Sequence, residues 1–164
     1  MVYEEKVPFK FGYVIALLFP ATAVYMFVIA YLQVTRGPIG DKPAPTLFYI
    51  LFGTLFIGLT WFISQFLQLF IRIEEKTIII SYGIFKTLVN RDTIEKAYLD
   101  KANPLLSYGG WGLRFGAYQG RPRKAYNIPG YRCIVLTIQK VKTEIVFSTA
   151  NPDQVIELLT PAQT

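Results

Sequence analysis

The sequence predicts a two-helix membrane hairpin followed by an antiparallel β sandwich or barrel, closed by one C-terminal capping helix. Three observations predict it. Two stretches, residues 11–34 and 47–71, run for 24 and 25 residues without a charged side chain. At about 1.5 Å of rise per residue, roughly 20 apolar residues cross a 30 Å hydrocarbon core. After Ile71 the pattern turns from helical to alternating, in short runs broken by Gly, Pro and Asn, as in sandwiches and barrels. Near the end, Asn151-Pro152-Asp153-Gln154 reads as a helix start: Asn at the cap, Pro at the first position and an acid in the first turn.

Composition narrows the function. The 164 residues leave room for one soluble domain beside the two helices. Mean hydropathy is +0.35, and 52% of residues are hydrophobic and 16% aromatic, high for a globular chain. Net charge is +6; from Arg72 onward thirteen Lys/Arg face eight Asp/Glu, about +5 for that half. A basic domain beside a bilayer is drawn to anionic headgroups, although solubility and the bias of cations toward the cytoplasm explain the same charge. Histidine is absent, which removes the usual general base, metal ligand and triad member. Cys133, inside the apolar run CIVLTI, reads as a packing residue. The expectation is a protein that is not an enzyme, with no cofactor and no metal.

Residues 1–10 form a short N-terminal segment of mixed charge. The first helix, 11–34, is too long for a signal peptide and closes on Tyr31 and Gln33 rather than on a small-residue cleavage site. Pro20 predicts a kink. Ala16, Pro20, Ala23 and Ala30 are small residues that allow close approach to the second helix. Residues 35–46 hold three prolines and two glycines and make an extracytoplasmic turn. Lys6 and Lys10 before the hairpin, and Arg72, Lys76, Lys86 and Arg91 after it, outnumber Arg36 and Lys42 in the turn. Both termini are therefore expected on the cytoplasmic side of the cell membrane.

In the second helix, 47–71, Gly53 and Gly58 are five apart, which is not the GxxxG spacing. Gln65 and Gln68, near its end, either bond a partner helix or sit as interfacial polar residues. Residues 72–160 carry seven or so strands and the closing helix, whose Asn151 cap contributes about 1 kcal/mol. Residues 161–164 are a tail.

The densest candidate site is residues 108–126, YGGWGLRFGAYQGRPRKAY. Read as a binding surface, Trp111, Arg114, Arg121, Arg123 and Lys124 meet phosphate headgroups or an acidic partner. Read as packing, Trp111, Leu113 and Phe115 alternate into the sandwich and RPRK is a solvated loop. The glycines miss the GxGxxG spacing of a dinucleotide loop. Asp92, Glu95 and Asp100, interspersed with Arg91, Lys96 and Lys101, read as surface ion pairs. A single-strand nucleic-acid platform shares the basic and aromatic composition, but membrane anchoring weighs against it.

Three stretches, IRIEEKTIIISYGIF, GGWGLRFGAYQGRPRKAYNIPG and TEIVFSTANPDQVIELL, resemble the membrane-anchored bacterial and archaeal pleckstrin-homology-like proteins. The resemblance implies a PH-like domain that is a non-catalytic binding or scaffolding module, without implying a phosphoinositide ligand. The expected protein is a small multi-pass membrane protein displaying a cytosolic PH-like domain to a protein partner or to anionic headgroups. The alternative is an accessory subunit of a larger membrane complex. Its partners would be membrane lipids and other membrane subunits or a cytosolic protein.

Overall fold

A computed structural model describes residues 2–102 and 107–160; the predicted tail 161–164 lies outside them. The chain divides into two compact units, Lys10–Leu67 and the combination of Met1–Phe9 with Gln68–Thr164.

The first unit is a helical hairpin of α1 (Lys10–Arg36) and α2 (Thr46–Ser64), both long and apolar enough to cross a membrane. α1 ends where Gly37 takes φ +93° and its N–H closes on the Gln33 carbonyl, a left-handed stop that glycine adopts without strain. The buried residues of α1, Gly12, Ala23, Ala30 and Gln33, lie 11, 7 and 3 residues apart, each close to a whole number of turns, so they share one stripe. Opposite it, Gly53 is buried so closely that an added Cβ would lie 2.9 Å from the Phe27 ring. Phe19 and Phe56 meet at 5.9 Å. Gln33, only 8% exposed, clasps the open end by donating to the Ala44 carbonyl and accepting from Thr46 Oγ1. The helix runs through Pro20 without a break.

The expected second span of 47–71 is corrected here. α2 stops at Ser64, and Gln68–Ile73 is a strand whose Leu69 and Ile71 are fully buried among β residues. An apolar strand following an apolar helix carries no compositional boundary, so the two read as one run.

Among the described residues, the second unit holds nine strands. β1 (Tyr3–Pro8), β2 (Gln68–Ile73), β3 (Thr77–Tyr82) and β4 (Phe85–Asn90) form one antiparallel sheet in that order. Residues 1–10 are thus largely an edge strand, with Val7 opposite Leu69 and Pro8 opposite Gln68. The hairpin is therefore an insertion between two adjacent strands of one sheet. β5 (Ile94–Leu99), β6 (Gly112–Tyr118), β7 (Arg121–Asn127), β8 (Arg132–Ile138) and β9 (Glu144–Thr149) form the other, in the order β5-β8-β9-β7-β6. Here the antiparallel expectation fails at one place: β7 and β9 pair in parallel. β8 turns back into β9, which then settles beside β7 running the same way.

The first sheet buries Ile71, Ile73, Ile78, Ile80 and Tyr82. Tyr82 and Tyr126 stack across the two sheets with centroids 6.0 Å apart, and Tyr82 Oη donates to the Asn127 carbonyl at 2.8 Å. The second sheet is buried on both faces along β9, every residue of which is inside. Its outer face holds Ala125, Cys133, Val135 and Val146 under Ala102 and Tyr108.

α3 (Pro152–Leu159) packs on β5 and β8 through buried Val155 and Leu159. Its cap differs from expectation. Asn151 precedes the helix but makes no side-chain capping bond; its Nδ2 donates to Tyr3 Oη at 3.2 Å. β1, invisible to a reading of the helix start alone, has captured the cap side chain.

Candidate functional site

The structure separates the cations that the sequence groups in one run. β6 and β7 form a hairpin whose turn residues, Gln119 and Gly120, both sit at positive φ, the geometry that matches strand twist. Arg121 leaves that turn exposed, its Nη1 donating to Glu144 Oε1 at 3.1 Å. Arg123, two residues on, is 4% exposed. Its Nε donates to Glu144 Oε2 at 2.7 Å, and its Nη1 to Asp100 Oδ1 at 3.1 Å and Tyr108 Oη at 2.6 Å. The guanidinium also lies 4.7 Å from the Tyr118 ring centroid. Tyr108 in turn donates its hydroxyl hydrogen bond to Asp100 Oδ2 at 2.6 Å, and Tyr98 donates to Glu144.

This cluster places two buried carboxylates around one guanidinium, and Arg121 balances the excess charge from the surface. Burial pulls the Arg123 guanidinium down, but its bonds with Glu144 and Tyr108 outweigh that and raise it above its ordinary value. Burial, followed by the bond to Asp100, pushes Tyr108 well up. The cluster is an internal tie among β7, β9 and the segment at Asp100 and Tyr108. Asp100 is therefore not the surface ion pair expected from its neighbours Lys96 and Lys101. Glu144, which the sequence reading does not single out, heads a strand whose remainder, IVFST, is all buried.

The other candidates take different places. Lys124 lies on the opposite face of β7, its Nζ donating to Thr87 Oγ1 at 2.8 Å and sitting 5.5 Å from the Tyr126 ring. It ties the two sheets together. Arg114 is exposed and donates to the Trp111 carbonyl at 3.1 Å. Trp111 meets Phe9 in a tilted pair with ring centroids 4.7 Å apart, while Phe115, inside on the packing reading, is 75% exposed. Phe115 shares the face of Lys124 but sits on β6, the edge strand of its sheet, where it is left uncovered. In the hairpin, Ala16 and Pro20 are half-buried, Gly53 is buried, and Gly58 has nothing within 4 Å of its added Cβ. Gln65 is the C-terminal cap residue of α2, and Gln68 is an exposed residue of β2.

Two ends of the β domain result. At one end Pro8 pairs with Gln68, Tyr82 meets Asn127, Asn127 donates to the Gly110 carbonyl, and Phe9 meets Trp111. At the other, the turns at 119–121 and 139–143 border a cleft of about 490 Å³ lined by Arg121, Pro122, Ile138, Lys142, Glu95 and Glu144. β7 alone, at roughly 3.3 Å per residue, separates Arg121 from Asn127 by about 20 Å.

Among the described residues no group of three His, Cys, Asp or Glu side chains could hold a metal ion. Cys133 is buried, and burial pushes its thiol up to about 11, which leaves little thiolate. The chain matches no family model, no curated protein and no solved structure.

Proposed function

We propose that this chain is a small, non-catalytic integral membrane protein that holds a PH-like β domain at the cytoplasmic face of the cell membrane. There the domain binds a protein partner or anionic headgroups. One observation carries the reading: the two apolar helices are inserted between β1 and β2, paired strands of one sheet. A hairpin that leaves and re-enters one sheet returns to the same side of whatever it crosses. Its apolar side chains support a lipid setting, since Leu17 is 70% and Leu47 63% exposed, a surface that water would not tolerate in bulk. Two sheets closed by a C-terminal helix suit the PH-like reading, although the parallel pairing of β7 with β9 departs from an all-antiparallel pattern. The non-catalytic reading rests on the missing histidine and on buried carboxylates already committed to Arg123.

The test is alkaline extraction of membranes containing the full chain. Retention in the membrane pellet supports the proposal, and release into the supernatant would overturn it. The accessory-subunit reading draws on the outer face of α2, where Phe48 and Phe52 stack at 4.3 Å and both stay exposed. Native size in mild detergent separates the two. Co-migration with stoichiometric membrane subunits selects the accessory role, and migration alone or as a small homo-oligomer selects the binding module.

A further inference from the structure

The end of the β domain where Pro8 pairs with Gln68 differs in charge from the rest of that domain. On the sheet face that carries them, one register row reads Lys6, Phe70, Ser81, Lys86 across the four strands. Both lysines are exposed, and among the described residues neither has an ion-pair partner. Arg114, also exposed, reaches back to the Trp111 carbonyl at the same end. The acids lie elsewhere. Glu4, one row farther, is taken by Arg72 at 3.1 Å, and Glu5 accepts from Thr149 and Ala150. Glu74 and Glu75 sit in the turn at the opposite end of β2 and β3, and Asp100 and Glu144 are buried. The cleft end, by contrast, mixes both signs.

The same end exposes an apolar tip. Tyr82 pairs with Phe85, leaving Gly83 and Ile84 as a two-residue turn with Gly83 at φ +48°. Ile84 is 62% exposed, while its neighbour Tyr82 is fully buried. A lone β-branched side chain at the crest of a turn contributes nothing to this domain's core.

The linkers place this end. One residue, Phe9, joins β1 to α1, and three, Gln65, Phe66 and Leu67, join α2 to β2. At about 3.3–3.6 Å per extended residue, they reach no more than roughly 11 Å. With the hairpin in a bilayer, linkers this short keep Pro8 and Gln68 within that reach of the helix ends.

We propose that this end is a membrane-interface surface, on which Ile84 seats in the headgroup layer and Lys6, Lys86 and Arg114 gather anionic lipid. It rests on the membrane-spanning reading above and replaces the 121–124 run, which lies inside or at the far end, as the lipid-contacting element. An apolar tip flanked by cations fits an acyl boundary beneath phosphate groups, which a soluble acidic protein does not offer.

The test uses the full chain in phosphatidylcholine vesicles with and without phosphatidylglycerol. Cys133 is buried, so a nitroxide can be directed to one introduced thiol at a time: Ile84→Cys, Val141→Cys at the cleft end, and Leu55→Cys in the middle of α2. The expected result is an Ile84 label reached by oxygen and shielded from a water-soluble nickel complex, with the Val141 label the reverse. Phosphatidylglycerol should be enriched among the lipids retained by the protein, and Lys6→Gln, Lys86→Gln and Arg114→Gln should each reduce that enrichment by up to about fivefold at low salt. A Leu55 label in hydrocarbon with an Ile84 label in water would overturn this inference alone, as would enrichment that the three substitutions leave unchanged. A Leu55 label in water would overturn the membrane reading and this inference with it.

Discussion

The hairpin and the β domain use the same apolar residue types in opposite ways. In the β domain, Ile71, Ile80 and Phe147 are fully buried and charged side chains cover the outside; in the hairpin, Leu17, Leu18 and Leu47 face outward at 63–70% exposure. The hairpin's own seam is made of small and polar residues, Gly12, Ala23, Ala30, Gln33 and Gly53. The β domain is held by excluding water. The hairpin brings its helices together through small residues, which on the membrane-spanning proposal is the rule for a solvent as apolar as the side chains. The difference teaches that each unit was shaped by its surroundings, and substitutions can break or sharpen that contrast.

The largest effect is expected at the buried tie. Arg123→Ala strands the Asp100 and Glu144 carboxylates and should lower β-domain stability by about 3–5 kcal/mol in chemical denaturation. Arg121→Ala, at an exposed partner of the same Glu144, should cost less than about 1 kcal/mol. Equal losses would mean that Arg123 is not inside. Next, Ile80→Ala should cost about 2–5 kcal/mol, whereas Leu17→Ala should stay within about 0.5 kcal/mol when unfolding is followed in detergent. A large loss at Leu17 would show that its side chain packs on protein rather than on lipid.

A middle-sized effect belongs to the helix seam. Gly53→Leu drives a side chain into the Phe27 ring and should weaken the hairpin by about 1–3 kcal/mol; Gly58→Leu, in open space, should be neutral. Thermal melts of both variants in one detergent decide it. The smallest effect is Asn151→Ala. Without a capping bond to lose, it should change stability by no more than about 0.5 kcal/mol, and a loss near the 1 kcal/mol of a working N-cap would restore the capping role.

What was legible follows from the same contrast. Both helices stand out because uncharged length is itself the signal, and the β8–β9 pair because two short apolar runs, CIVLTI and IVFST, flank a polar turn. β1 was missed since its inward positions are Tyr3, Glu5 and Val7, with Glu5 polar but bonded to Thr149 and Ala150. No periodicity rule scores an inward, half-buried glutamate as a strand residue. The end of α2 was missed because Leu69, Phe70 and Ile71 are as apolar as the helix before them. At the candidate site, Arg123 could not be told from Arg121 by composition, and both bond Glu144; only the parallel β7–β9 register, which sets Arg123 opposite Glu144 and within reach of Asp100 and Tyr108, buries one and leaves the other outside. Ile84 and Lys86 gain meaning only when the fold carries them to the Pro8–Gln68 end.

The central claim is that the hairpin is an insertion into a β domain completed by residues from both sides of it. Replacing residues 10–67 with a short glycine-rich turn tests this directly, since Pro8 and Gln68 are already register partners. The account predicts a monomeric protein, soluble without detergent, that unfolds in one cooperative transition. It also predicts that further removal of residues 2–9 lowers the melting temperature sharply by uncovering β2. An aggregated product, or an unchanged melting temperature after residues 2–9 are removed, would contradict it.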